Sequence, residues 1–431
     1  MIKIYKTEEI ADSEVLTRHN AVRDVSAPVA DIIKNVRERG DEALFEYSER
    51  FDGVKLASLE VGPDELDSAL EKIGELADIL IEARDNISHF HSRQVTEGFI
   101  VTDRPGIVLG QRVTPLERVG VYVPGGTAAY PSTVLMNIVP AKLAGVGEII
   151  MVTPPGKNGG VAPAILAAAK LAGADRVFTV GGAQAVAALA YGTESIPAVN
   201  KIVGPGNAWV AEAKRQVFGK VGIDMVAGPS EVLVIADENS DPSWVAADML
   251  SQAEHDKMAQ AVLITDSEAL ASAVALELDS QLKKLPREEI ARASIDDNGK
   301  IIVCRDLEEG LDIANRIAPE HLELCVDDPF GMLCKVRNAG SVFLGRFDPE
   351  PVGDYFAGPN HTLPTMGTAK FASPLGVEDF VKRSQFSYYT ASALAADAPK
   401  IAAFARSEGL TAHAAAVEAR RDCCGKSGET V

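Results

Sequence analysis

The sequence predicts an α/β fold of two successive parallel-sheet units, with a helical N-terminal segment before them and a helical C-terminal tail after them. Two observations predict it. From about residue 107, short β-branched runs alternate with Ala-rich helical stretches, the rhythm of a layered parallel sheet. The same rhythm restarts at Glu231-Val232-Leu233-Val234-Ile235, so the architecture is duplicated, although no close internal sequence repeat accompanies it. The boundaries expected are 1–105 for the helical segment, 106–230 and 231–347 for the two α/β units, and 348–431 for a loop and helical tail.

Residues 1 to about 100 read mainly as helices, with apolar spacing over 64–90 and carboxylates outside. No chemistry is visible there, and His19, His89 and His91 lie among surface-type residues and are expected to be solvated. Gly120-Val121-Tyr122-Val123 is a strand, and Pro124-Gly125-Gly126-Thr127 is the turn after it. A helix from 132 follows, bent by Pro140 and stopped at Gly145. A strand at 148–152, a helix at 161–172 and a strand at 176–180 come next. Gly181-Gly182 then opens a helix at 183–191, and Lys201-Ile202-Val203 leads into Gly204-Pro205-Gly206-Asn207.

The second unit runs from Glu231 through a helix capped by Asp241, with Pro242 in its first turn, to a strand at 261–264. Later come a strand at 300–304, a helix at 307–317 and a strand at 340–344. After about 348 the alternation ends. Residues 348–375 are rich in Pro and Gly, and the last fifty residues read as helix. That tail is too short to bury a core alone.

At 431 residues the chain exceeds one small core, and its 46% hydrophobic and 24% charged composition is that of an ordinary globular protein. A net charge of −20 argues against nucleic acid or an anionic membrane as partner. The start lacks an apolar signal region, and no apolar run is long enough to span a bilayer. The five cysteines are odd in number and show no CxxC spacing, which argues against a disulfide framework or thiolate zinc. A reducing cytoplasm is the expectation.

Three glycine-rich turns follow strands: Pro124-Gly125-Gly126, Gly181-Gly182 and Gly204-Pro205-Gly206. Glycine lets backbone N–H groups approach an anion, and the helix start adds partial positive charge. None is a GxGxxG fingerprint, and tight strand-to-helix turns need glycine in any case. Near the end of the Asp241-capped helix, Asp248, Gln252 and His255 form an i, i+4, i+7 stripe where a core-facing helix would place Leu or Val. Imidazole suits zinc and a carboxamide oxygen can be a harder ligand, though a polar helix end facing water fits the same stripe. In Ala318-Pro319-Glu320-His321, Pro319 ends a helix and leaves an acid and a base at the entry to a strand. Such a pair can serve two proton transfers in a cleft, or cap the element and face water. Asp354 and His361 occupy the irregular loop, while Glu408 and His413 stand in the tail.

Together these strings closely resemble the histidinol dehydrogenase family from about residue 20 to 421. The strings are Tyr122-Val123-Pro124-Gly125-Gly126, Gly204-Pro205-Gly206-Asn207, Ala227-Gly228-Pro229-Ser230-Glu231, Gln252-Ala253-Glu254-His255, Glu320-His321, the 358–365 loop and Leu410-Thr411-Ala412-His413. The resemblance implies incomplete Rossmann-like units and oxidation of L-histidinol through histidinal to L-histidine with two NAD. It implies one zinc per subunit on Gln252, His255, Asp354 and His413, with Glu320 and His321 as the acid–base pair. Ser230, His361 and Glu408 would hold substrate together with Gln252, His255, His321, Asp354 and His413. Tyr122, Gln184 and Asn207 would line the NAD site. It also implies a homodimer whose tail contributes across the interface.

In that chemistry zinc orients the substrate, His321 takes the alcohol proton and Glu320 activates water for the aldehyde step. A cysteine thiohemiacetal is the other general route, but Cys325, the nearest thiol in sequence, sits in an apolar strand pattern and reads as core. Cys423 and Cys424 read as tail thiols. Two other readings stand beside this one: a zinc- and NAD-dependent dehydrogenase of another small polar alcohol, and a metal hydrolase or non-catalytic metal-binding protein.

Overall fold

The computed structural model describes residues 2–18, 24–125 and 129–424. His19, Gly126 and Thr127 therefore lie outside the described residues. The chain divides into two compact units, residues 1–95 with 116–380, and residues 96–115 with 381–431.

The larger unit holds two parallel sheets. The first has the strand order Arg176–Thr179, Glu148–Thr153, Arg118–Tyr122, Lys201–Val203, Gly222–Ile223. Its strands are Val- and Ile-rich because helices cover both faces, so alternation gives way to continuous apolar runs. Val119, Val121, Ile149, Ile150, Met151 and Val177 are fully buried. Each such side chain contributes about 1.5–3 kcal/mol relative to exposure. Helix Pro131–Ala144 follows the first turn, carries Pro140 inside it, and ends at Gly145 with φ 83°. Gly182–Tyr191 follows the second turn and Ala208–Val217 the third.

The second sheet has the order Lys3–Lys6, Lys300–Val303, Gln260–Thr265, Glu231–Ala236, His321–Cys325, Ser341–Leu344. The helix Pro242–Ala253 is capped as expected, with the Asp241 carboxylate accepting the Ser243 N–H. Lys3–Lys6 was not visible in the sequence as a strand. It has only four residues, and what makes it β is parallel pairing along the Lys300–Val303 edge. The order reverses at Arg118–Tyr122 in the first sheet and at Glu231–Ala236 in the second, which creates a switch point where neighbouring connections diverge.

The smaller unit is an antiparallel sheet, Phe99–Val101, Ile107–Pro115 and Val381–Tyr389, with helices Ala391–Ser407 and Thr411–Cys424. The tail was expected to be helical throughout its last fifty residues, yet 381–389 is a strand. Both of its faces are largely exposed, so no alternation marks it, and pairing from Val381↔Pro115 to Tyr389↔Ile107 sets it instead. Phe386 packs over Gly110, where an added Cβ would lie 2.2 Å from its ring.

Two side-chain expectations resolve differently. Cys325 is buried in its strand, as expected, and burial pushes its thiol pKa up, which keeps it an inert core residue. His91 is not solvated: it is 0% exposed at the end of helix Leu76–His91, with Nδ1 2.7 Å from Gln94 Oε1. Its helix face, not its polar neighbours, decides its burial.

Candidate active site

The acid–base pair lies at the amino end of the second sheet. Helix Leu307–Ile317 ends at Ala318, a non-glycine residue at φ 52°, and Pro319 blocks its continuation. The chain then enters strand His321–Cys325, whose register sets His321 beside Val232. Residue 231 is thereby brought against both candidate catalytic side chains. Its backbone N–H donates to Glu320 Oε2 at 2.8 Å, and its carbonyl accepts from His321 Nδ1 at 2.9 Å.

A carbonyl only accepts, so the neutral His321 ring carries its proton on Nδ1 and presents a lone pair at Nε2. The Gln252 amide nitrogen lies 3.4 Å from the same Nδ1 and cannot donate to a nitrogen already bearing hydrogen. Among the described residues, His321 Nε2 and Gln252 Oε1 are buried with no hydrogen-bond partner. Two bare lone-pair atoms in one buried place call for a cation or a donor.

Carboxylates surround them. Asp354 Oδ1 is 3.6 Å from His321 Nε2 and 4.0 Å from His361 Nδ1. His321, Glu350 and Asp354 bring one ligand atom each within 4.8 Å of one another. Burial would raise Asp354, but His321 and His361 outweigh it and hold that carboxyl well below the usual range. Burial pushes Glu350 up to about 8, so at neutral pH it carries a proton that Asp354 can accept as a hydrogen bond. Burial likewise raises Glu320 to about 7, the range in which a carboxylate is a useful base. For His321 burial opposes the charge, but Glu320, Asp354 and Glu350 prevail and lift it to about 10, so the ring is neutral and Nε2 bare only where a positive charge offsets those carboxylates.

The remaining expected residues divide. His255 lies just past the helix end and is open to solvent, its N–H donating to the Gln252 carbonyl at 3.1 Å. Its surroundings still penalise the charged ring and lower its pKa, which favours the neutral, ligating form. His361 joins the cluster because its loop is pinned: Asn360 Nδ2 donates to Met136 O at 2.6 Å, and Thr133 Oγ1 is 3.4 Å from His361 Nε2. Ser230 immediately precedes strand Glu231–Ala236 and is half-buried. Asp248, the third member of the helix stripe, joins a different cluster with Glu323 and Cys325. Glu408 and His413 belong to the smaller unit, both exposed there.

The candidate NAD residues gather at the carboxyl ends of the first sheet. Gly182 N–H donates to Tyr122 Oη at 3.1 Å, and Gln184 is buried in the turn of helix that follows. Gly204 stands at φ 110°, where an added Cβ would lie 2.1 Å from Tyr122 O. Lys214, buried, donates to Gly204 O at 3.0 Å and pairs with Asp224, whose Oδ2 accepts the Gly204 N–H at 2.8 Å. Asn207 caps the next helix by accepting from the N–H groups of Trp209 and Val210. Glycine turns held open at a switch point are what a dinucleotide needs.

Sequence reasoning missed Glu350, Glu231 and Lys214. Glu231 left a trace, being a carboxylate at the head of an otherwise apolar buried strand. Glu350 and Lys214 left none, since their burial depends on distant elements.

A buried acid–base pair on one parallel sheet and glycine turns at the switch point of another are the layout of a dinucleotide-dependent oxidoreductase. Comparison with known proteins sets the family: residues 16–421 match the family description Histidinol dehydrogenase. The chain is 54% identical to the histidinol dehydrogenase of Listeria monocytogenes serotype 4b (strain F2365), covering 96% of this chain and 97% of that one. It is 54% identical to that of Lactiplantibacillus plantarum, covering 97% and 95%. A crystal structure of histidinol dehydrogenase from Elizabethkingia anophelis superposes with a TM-score of 0.93 at 37% identity over 99% of both chains. The chain belongs to the histidinol dehydrogenase family, NAD-dependent oxidoreductases of histidine biosynthesis. Among the described residues no helix is long and apolar enough to cross a membrane.

Proposed function

We propose that this chain oxidises L-histidinol through L-histidinal to L-histidine with two NAD, on a zinc-dependent site built around Glu320 and His321. The observation that carries the reading is the double use of residue 231, whose N–H and C=O orient the acid and the base side by side. Zinc would be held by Gln252, His255 and Asp354 of the larger unit and by His413. The bare Gln252 Oε1, the ionised Asp354 and the neutral His255 fit an N/O-ligated divalent cation. When bound, zinc supplies a positive charge that orients the substrate's amine and imidazole and offsets the carboxylates acting on His321, while NAD, near Tyr122, Gln184 and Asn207, supplies the hydride acceptor.

The protein's own groups then divide the proton work. Once those carboxylates are offset, His321 Nε2 is bare and, fixed by its Nδ1–H bond, takes the proton of the alcohol oxygen as the carbon gives up hydride. Glu320, with a pKa near neutrality, takes a proton from the water that adds to the aldehyde carbonyl. The hydrate's carbon gives its second hydride to the second NAD, and the remaining acidic proton is released to solvent, leaving the carboxylate. No thiol is required, in keeping with the burial of Cys325. Ser230 and His361 would flank the substrate, and Glu408 of the tail would accept a hydrogen bond from its polar end.

Glu408 and His413 are exposed in a small unit that also exposes Phe99, Ile100, Phe386, Tyr388 and Phe404. That combination supports a homodimer in which each tail completes the partner's site. The function is tested by NADH formation with L-histidinol against other amino alcohols and diols, before and after chelation and zinc return. Zinc-dependent turnover confined to L-histidinol is expected. Equal turnover of other small polar alcohols would move the substrate assignment.

A further inference from the structure

The N-terminal segment reaches the back of the acid–base pair through one side chain. Arg18 donates from Nε to Glu231 Oε1 at 2.5 Å and from Nη2 to Glu231 Oε2 at 3.1 Å, a two-pronged ion pair with both partners largely buried. Its Nη2 also donates to the carbonyl of Ile317 at 2.8 Å. Those two grips fall on the two pieces of backbone that set the pair. Residue 231 supplies the N–H and C=O that orient Glu320 and His321, and Ile317 is the last residue of the helix before Ala318, Pro319 and Glu320.

We infer that Arg18 is a positioning residue for the acid–base pair, clamping Glu231 to the Ile317 turn so that Glu320 and His321 keep their mutual geometry.

The clamp is itself held from below. Buried Lys300 donates through Nζ to the carbonyls of Glu14 at 2.6 Å and Thr17 at 3.0 Å. Gln260 Nε2 lies 3.4 Å from the Thr17 carbonyl. With strand Lys3–Lys6 paired on the sheet edge, these bonds fix the segment that ends in Arg18. Glu231 Oε1 further accepts the backbone N–H of Met366, a non-glycine residue at φ 60°. An ordinary buried ion pair would need none of this convergence. A guanidinium fork matches a carboxylate in two bonds and keeps a third donor for a carbonyl, which a lysine cannot do with the same fixed geometry.

The inference rests on the reading of Glu320 and His321 as the acid–base pair, and the experiment separates the two. In zinc-loaded protein Arg18→Ala should lower kcat with L-histidinol on the order of 100-fold, the cost of a reacting group displaced by about an ångström. KM for L-histidinol and NAD and the zinc content should hold. Arg18→Lys should recover part of the loss, because charge returns without the fork. For the alcohol step alone, read as the first NADH formed, the same Arg18→Ala change in a His321→Asn background should cost less than about 3-fold, since that step draws on His321 and not on Glu320. Arg18→Ala that folds with parental kcat overturns the inference, as does a full 100-fold loss of the alcohol step persisting without His321. Should Arg18→Ala not fold, Glu231→Gln decides by the same readouts, keeping shape and removing the ionic clamp. Parental kcat in His321→Asn and Glu320→Gln would instead remove the acid–base reading itself.

Discussion

Glu320→Gln is the substitution whose consequences run in opposite directions for activity and stability. Gln keeps an oxygen to accept the Glu231 N–H, so the local geometry survives while the base is lost. Turnover of L-histidinal should fall about 10²–10⁴-fold, the usual contribution of a positioned general base. The stability effect follows from burial, which moves the carboxyl from 4.5 to about 7. An unfolded chain releases this proton near 4.5, whereas the folded protein holds it to about 7. Between those values the folded state binds more protons, so its stability falls as pH rises. At about 1.36 kcal/mol per pKa unit the loss reaches about 3 kcal/mol above pH 7, a value in which the lowering by His321 is already contained. Gln does not titrate and escapes the loss. Denaturant unfolding of chelated parent and variant from pH 4 to 8 should show the variant gaining stability across that window, while direct L-histidinal assays show the rate deficit. A variant that oxidises L-histidinal at the parental rate, or whose stability tracks the parent's at every pH, would refute the reasoning.

Three further outcomes are expected. Gly204→Ala forces a Cβ to within 2.1 Å of Tyr122 O at φ 110°; it should cost on the order of 1–3 kcal/mol of strain and raise KM for NAD while KM for L-histidinol holds. Burial holds the pKa of His91 below its ordinary value, so its share of stability is present above about pH 6.5 and is lost as pH falls through the depressed value; His91→Asn should flatten that acid slope in unfolding measurements. A mixed dimer of His255→Ala and His413→Ala subunits should retain roughly half the parental activity if each tail serves its partner, because one site then collects both defects. A folded but inactive mixed dimer would place His413 in its own chain's site.

What the sequence made legible was local. Asp241 capping its helix, Gly145 ending another, and the Val-rich strands all follow from spacing and residue type, and the structure places them accordingly. Glu320 and His321 were legible because Pro319 ends a helix directly before an acid and a base. Family resemblance carried the zinc and NAD residues, which spacing left ambiguous between ligand and surface. Asp248 shows that limit, since helical spacing grouped it with Gln252 although it faces Glu323. What stayed hidden depends on contacts between distant segments. Arg18 lies in a stretch without visible chemistry, and only strand Lys3–Lys6 and Lys300 bring it to Glu231. The strand at 381–389 is set by its partner at 107–115 and carries no period of its own.

The central claim is that one site performs both oxidations, with His321 serving the alcohol and Glu320 the hydrated aldehyde. It is tested most directly by the NADH formed per L-histidinol consumed in zinc-loaded enzyme with excess NAD, with the product identified. Two NADH and L-histidine are predicted. One NADH with L-histidinal accumulating as the end product would contradict the account.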